Sequence, residues 1–413
     1  MKICELSNGL TVVLEDFPSA LSASLGIWVM AGAVDEGEKN GISHLIEHMM
    51  FKGTRKRNYR QISEDLEKLG TSVNAFTSKE ATCFYIKSLS SNLIESIDVI
   101  ADMVTGSLID KDELEKEKNV ICEEIKMIED IPDDLGSDLI QEAVFQGTPL
   151  ANRIIGTPES LSAISREDIL DYIGARYTPP GMVIACVGRF DEGELIKKLE
   201  TGLGQVPAAA SNPRVYEAGK PACIRRTQIK DIEQTHFFLG TKGVSFTDDD
   251  VYALNLYASI LGGGMSSRLF TTVREELGLA YSIYASDIPY VYDGQFTIYA
   301  GTADEKVEEA VSAIKSELTR LSEKGVDPAE LSKVKEQYKA SFVFRRESNS
   351  SRMFAAGRNK LLLGRIYSEE EILAGVDAVT EDDIARLAVA YADFSRYSAI
   401  AISSREHDFD AML

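Results

Sequence analysis

Short apolar runs and longer amphipathic stretches alternate along the whole chain. Residues 10–14 (LTVVL) read as a strand, Ser72–Thr77 and Thr82–Leu89 as a hairpin-like pair, and residues 93–104 as a helix with an apolar face. A long, acid-rich helix then runs from Lys111 to Asp130, and residues 182–187 form a continuous apolar run of strand length. The same succession returns later: a strand at 296–300, a helix at 307–318, a further helix near Glu330 and a strand at 397–402.

The return is visible in the letters too. ELEKEK at 113–118 resembles ELSKVK at 330–335, at an offset of 217. AISREDI at 163–169 resembles AVTEDDI at 378–384, at an offset of 215. In the second pair Ser165 and Thr380 stand at the N-cap of a helix, with acids in the turn that follows. Two matches at nearly one offset, with matching flanks, argue for an internal duplication. The predicted fold class is α+β, with two homologous units whose mostly antiparallel sheets pack against helices. The seam falls at 202–221, where Gly, Pro, Ala, Ser and Asn collect without periodicity. The expected organisation is a first domain at 1–205, a linker at 206–221 and a second domain at 222–413.

Composition narrows the function classes. The 66 acidic and 44 basic residues leave a net charge of −22, which repels nucleic acid and anionic membranes. A solvated acidic surface is the plain meaning of that charge, and a preference for cationic peptides the other. No run of 18 uncharged apolar residues occurs, so no membrane span is expected. Neither a basic leader with an apolar run nor an Arg-rich transit segment precedes residue 10, so no targeting segment is expected. The five cysteines, Cys4, Cys83, Cys122, Cys186 and Cys223, are scattered and make no CxxC pair. That predicts neither a disulfide framework nor a thiolate zinc site, and a reducing cytoplasm is the expected location.

The chain has only four histidines, and two fall within five residues: His44-Leu-Ile-Glu-His48. Residues four apart share a helix face, so both imidazoles can grip one ion, with Glu47 leaning the same way as a base. The plain alternative, two histidines on a solvated face, fits poorly with the apolar Met49-Met50-Phe51 that follows. A catalytic zinc needs a third ligand and an open position. His236 and His407 lie in the second half, so a carboxylate is expected. Glu117 and Glu124 are two turns apart on the acid-rich helix, near Val120 and Ile121, which predicts a partly buried face. A buried carboxylate needs a partner, and a metal with its histidines is one. For any single acid of this helix, solvation is the other reading.

The string GISHLIEHMMFKGT, Gly41 to Thr54, resembles the zinc helix of the pitrilysin family, which includes the insulin-degrading enzyme and the mitochondrial processing peptidase. The family pattern continues with an edge strand, matched by Asn74-Ala-Phe-Thr77, and with a distant glutamate ligand preceded by another glutamate. Here Glu124 lies at the family's distance beyond His48, and Glu117 stands seven before Glu124, with Glu123 as the alternative to Glu124. The resemblance implies a zinc-dependent endopeptidase in which His44, His48 and Glu124 hold Zn2+ and Glu47 is the general base. It further implies that Glu117 orients a ligand or the base, and that Asn74, Ala75 and Phe76 bind an extended peptide as an added strand.

The second half departs from the first at the site positions. By the repeat offset, Val334 stands for Glu117 and Ser341 for Glu124, and no histidine pair is present. Its distinctive stretch is GGGMSSRLF at 262–270, followed by VREELGLAY at 273–281. No GK[ST] follows the glycines, so a phosphate loop is not expected, and a turn between helices is the plain reading. The resemblance implies instead that Arg274 and Tyr281 face the zinc, Tyr281 toward the developing oxyanion and Arg274 toward the peptide. Three glycines are fewer than in the loop of the processing peptidase's non-catalytic subunit, which suits a short bacterial-type member. Long family members have four such units, so a homodimer enclosing peptide substrates is the expected assembly. Two readings compete: a non-catalytic scaffold or processing-complex subunit of the same fold, and a zinc hydrolase of non-peptide amides. The first usually loses the histidines or the glutamate, and the second leaves the edge strand unexplained.

Overall fold

A computed structural model describes residues 1–208, 214 and 216–413, so part of the expected linker, 209–213 and 215, lies outside the described residues. The first half runs β1 (Lys2–Glu5), β2 (Thr11–Asp16), β3 (Ser22–Val29), α1 (Ile42–Met50), β4 (Ser72–Thr77), β5 (Thr82–Leu89), α2 (Leu93–Gly106), α3 (Lys111–Asp130), α4 (Pro132–Val144) and β6 (Met182–Gly188), with further helices among them. The second runs β7 (Arg225–Ile229), β8 (Gln234–Lys242), α5 (Val251–Gly262), β9 (Ala280–Pro289), β10 (Gly294–Ala303), α6 (Val307–Lys324), α7 (Pro328–Arg346), α8 (Asn349–Leu363) and β11 (Ser398–Ser403).

The first sheet has the order β1-β2-β6-β3-β5-β4 and the second β7-β11-β8-β10-β9. Each is antiparallel except at one pairing, β2 with β6 and β7 with β11. Apart from β1, the two sheets match strand for strand. The α+β class and the duplication therefore stand as read from the sequence.

The chain packs as two compact units. One comprises Met1–Ile125, Asn152–Val215 and Val343–Tyr367; the other comprises Lys126–Ala151, Tyr216–Phe342 and Ser368–Leu413. Each half thus lends one helix to the other half's sheet. Helix α8 lies on β3 and β6, and α4 lies on β8 and β11.

The exchange has a steric signature. The strand registers put Gly26 and Trp28 of β3 in the places that Phe238 and Gly240 hold in β8. The helices align so that Gly136 and Ile140 of α4 stand for Met353 and Gly357 of α8. In the first unit a Cβ on Gly357 would meet the Trp28 indole Nε1 at 2.1 Å, and one on Gly26 would meet the Met353 Sδ at 2.5 Å. In the second unit the sizes reverse: Ile140 lies against Gly240, at 2.6 Å from where a Cβ would be, and Phe238 against Gly136, at 2.1 Å. Laid on the second sheet, α8 would set Met353 against Phe238 and Gly357 against Gly240, a clash beside a hole. Each helix is shaped for the other half's strand.

Candidate metal centre

Helix α1 starts where the chain turns through Gly41, whose φ of 91° lies in the left-handed region. A Cβ there would also stand 2.9 Å from the Ile155 carbonyl oxygen. The first amides of the helix find a buried acceptor. Glu36 accepts from Gly41 N at 2.7 Å, from Ser43 N at 3.0 Å and from the Asn40 side chain at 2.9 Å. Burial pushes the Glu36 carboxyl up, and these bonds oppose it. Ile42, Leu45, Ile46, Met49 and Met50 are buried, so the 3.6-residue turn leaves His44, Glu47 and His48 on the remaining stripe.

Helix α3 answers with a stripe of its own. Its buried residues are Leu114, Glu117, Ile121 and Ile125, a helical face on which a carboxylate takes the place of one apolar side chain. Val120, expected near that face, is 49% exposed, because it sits a quarter-turn away from Ile121. Glu117 and Glu124 do share a face and both reach α1. His44 Nε2 lies 4.0 Å from Glu124 Oε1, and His48 Nε2 lies 3.6 Å from Glu124 Oε2. The two imidazole rings are 4.7 Å apart. One ligand atom from each of His44, His48 and Glu124 falls within 4.8 Å of the others, the one such group among the described residues. Glu123 is exposed and outside it.

The donors suit zinc. Burial first, and the neighbouring His48 charge second, push His44 down to about 4, so its ring is neutral at ordinary pH. Its Nδ1 is buried without a hydrogen-bond partner, which leaves Nε2 as the atom directed at Glu124. Two imidazole nitrogens and one carboxylate oxygen are a set that catalytic zinc takes while keeping a position open.

Glu47 is held by a residue of the neighbouring strand: Thr77 Oγ1 donates to Glu47 Oε2 at 2.6 Å. Burial pushes the Glu47 carboxyl up, and the Thr77 hydrogen bond pulls the other way. On the far side of His48, Glu117 Oε2 lies 3.1 Å from Nδ1, and Glu117 Oε1 pairs with Lys52 Nζ at 2.6 Å.

Strand β4 is the end of its sheet, paired with β5 on one side only. Asn74 is exposed, Ala75 buried and Phe76 half-buried, and the Ala75 N–H donates to the Asn74 side-chain oxygen at 2.8 Å. Phe76 packs edge-on to Trp28 at 5.5 Å and to Phe354 at 5.7 Å, while Tyr85 meets Phe354 at 4.8 Å.

Arg274 and Tyr281 belong to the second unit. Arg274 lies in a π-helical segment, Phe270–Glu276, with its guanidinium 4.5 Å above the Phe270 ring and 5.5 Å from the Tyr281 ring. Tyr281 is the second residue of the edge strand β9 and is 72% exposed. The histidines of this unit are engaged elsewhere, His236 with Asp133 and Tyr299, and His407 with Asp304 and Ser403.

Sequence reasoning missed Glu36, Lys52, Thr77, Trp28, Tyr85 and Phe354. Lys52 had a signal, since it continues the four-residue spacing of His44 and His48. Phe354 had none, because it arrives on the exchanged helix.

Comparison with known proteins places this geometry in context. A family model described as Insulinase (Peptidase family M16) matches residues 11–158, and one described as Peptidase M16 inactive domain matches residues 163–338. The uncharacterized zinc protease YmxG of Bacillus subtilis is 39% identical over 92% of this chain and 93% of its own. An uncharacterized zinc protease of Streptomyces coelicolor is 35% identical over 93% of this chain and 85% of its own. Among solved structures, a peptidase M16 inactive domain from Pseudomonas fluorescens superposes with a TM-score of 0.91 at 19% identity, covering 98% of both chains. A protease from Helicobacter pylori superposes at 0.90 and 22% identity, over 97% of this chain and 98% of its own. At such identities the structures speak for the fold. Among the described residues no helix is long and apolar enough to cross a membrane.

Proposed function

The chain belongs to peptidase family M16, and from that premise we propose that it is a zinc-dependent endopeptidase that cuts extended, unstructured peptides. One observation carries the reading: a His44–His48–Glu124 donor group beside a carboxylate, Glu47, that hydrogen-bonds to the edge strand next to it. A zinc ion held by those three residues would polarise the scissile carbonyl and acidify a water. Glu47, held by Thr77 beside the donor group, takes the proton of the attacking water and returns it to the leaving amine. Strand β4 receives the peptide backbone along its free edge, with Phe76 and its aromatic neighbours beneath a side chain.

The same reading makes the working form a homodimer, in which Arg274 and Tyr281 serve the zinc site of the partner chain. Tyr281, exposed and backed by the Arg274 guanidinium, would donate to the oxyanion. Elemental analysis of protein purified without chelators should give one zinc per chain, and chelation should stop peptide cleavage and leave the fold intact. A flexible peptide should be cut while a stable globular domain survives. No zinc, or equal rates on both substrates, would sink the reading. Refolding a mixture of Glu47→Gln and Tyr281→Phe chains tests the shared site. Random pairing makes about half the dimers mixed, with one good site in two, so roughly a quarter of the wild-type activity should return. Recovery of nothing rejects the shared arrangement. Zinc-loaded protein that cuts no peptide would favour the non-catalytic alternative, which the presence of an M16 inactive-domain structure among the neighbours keeps specific.

A further inference from the structure

Helices α1 and α3 face each other through a ladder of alternating charge type. Glu124 reaches His44 and His48, Glu117 reaches His48, and one turn beyond His48 the side chain of Lys52 reaches back to Glu117. His44 and His48 are one turn apart on α1, and Lys52 follows four residues later, just past the helix end at Met50, where the chain turns and the Lys52 N–H donates to the Met49 carbonyl at 3.1 Å. The last member meets no imidazole. Its ammonium is 2.6 Å from Glu117 Oε1, while Glu117 Oε2 faces His48 Nδ1 at 3.1 Å.

Glu117 is 4% exposed, and a carboxylate buried to that degree needs a cation or several donors. A neutral His48 ring can donate to Glu117 only in the tautomer with its proton on Nδ1, and that tautomer leaves the Nε2 lone pair free toward Glu124. The order of cause then runs from Lys52 inward. Lys52 pairs with one Glu117 oxygen from outside, the other Glu117 oxygen faces His48 Nδ1, and a proton shared there leaves Nε2 as the ring atom toward Glu124. The other histidine has no such device, since its Nδ1 is buried without a partner.

We propose that Lys52 is a positioning residue for the metal centre, setting the tautomer and ring orientation of His48 through Glu117. This rests on the reading that His44, His48 and Glu124 hold zinc, and the tests below separate the two. With four histidines in the chain, ring nitrogen NMR can assign each tautomer in the metal-free protein. Wild-type protein should show His48 protonated on Nδ1 alone, and Lys52→Met a mixture of tautomers. Zinc affinity, measured against a competing chromogenic chelator, should fall about tenfold in Lys52→Met, the scale for losing an outer partner of a ligand. Lys52→Arg, which keeps the charge, should restore both. A Lys52→Met protein that is folded and has an unchanged His48 tautomer and zinc affinity overturns the proposal.

Should Lys52→Met fail to fold, the comparison moves to a background without the carboxylate. Glu117→Gln and Glu117→Gln/Lys52→Met should bind zinc equally, because Lys52 then has nothing to act through. A further tenfold fall in the double variant would show that Lys52 works by another route, and the assignment would be wrong. If wild-type protein binds no zinc, the zinc reading fails by itself, while the His48 tautomer still reports on Lys52.

Discussion

The two units share a sheet topology and a helix order, yet they handle the same positions in opposite ways. On α3 the buried stripe holds Glu117, with His48 and Lys52 there to meet it. On α7 the matching residue is Val334, 2% exposed, in an apolar core with Leu254, Tyr257 and Leu261 of α5. Helix α1 keeps a polar stripe, whereas α5 buries eight of its twelve residues and has no histidine. The second unit has closed with hydrocarbon the place where the first keeps its two histidines and facing carboxylates. At the exchanged helices the units differ again, by reversal of size: Trp28 on Gly357 and Met353 on Gly26, against Ile140 on Gly240 and Phe238 on Gly136. Matched polar contacts at this seam are rewritten too, Ser24 with Ser350 in one unit and His236 with Asp133 in the other. A duplicated fold thus keeps its backbone plan while its side chains specialise, because packing asks only that volume and polarity be matched locally.

The largest effect should come from the polar stripe of the first unit. Glu47→Gln should lower peptide cleavage by roughly 10³-fold or more, because the base acts in the transition state, while zinc content stays at one per chain. A variant that loses its metal would make Glu47 a ligand and redraw the comparison.

Grafting the first unit's chemistry onto the second should cost stability. Val334→Glu places a carboxylate in that apolar core, and roughly 3 kcal/mol should be lost at neutral pH. Burial raises the folded-state pKa of such a group, so the loss appears as pH rises above the ordinary carboxylate range and shrinks toward pH 4. Urea unfolding at pH 8 and pH 5 measures it, and a pH-independent loss would point to overpacking instead of charge.

The size reversal can be tested by converting one unit's solution into the other's. Gly357→Ile should destabilise by about 3 kcal/mol, since its side chain enters the space of the Trp28 indole. Adding Trp28→Gly, which recreates the Gly240–Ile140 pair, should recover at least ~1 kcal/mol relative to the sum of the two single changes. Strict additivity in a double-mutant cycle would remove the pair as a docking determinant.

The smallest effect concerns the strand that faces the site. Thr77→Val removes a hydrogen bond that favours ionised Glu47, so its carboxyl should titrate higher and the acid limb of kcat/KM should move up by less than about one pH unit. Thr77→Ser should leave the limb in place. An unchanged limb in Thr77→Val would mean that this contact does not reach the base in the working enzyme.

Much of this molecule was legible in one dimension because it rests on local periodicity. The four-residue spacing of His44 and His48 and the seven-residue spacing of Glu117 and Glu124 put each pair on one face, whatever else the chain does. The repeat at a nearly constant offset likewise exposed the paired units, since a duplication copies order and capping along with sequence. The tertiary structure decided what periodicity cannot: that Glu124, not Glu123, meets the histidines, that Thr77 holds Glu47, and that Lys52 stands behind Glu117. It also decided that α4 and α8 change places, bringing Phe354 from the second half of the chain beside Phe76 in the first. Those contacts depend on the shape of two surfaces meeting, Trp28 over Gly357 or Ile140 over Gly240, and a lone sequence names the surfaces without saying which will touch.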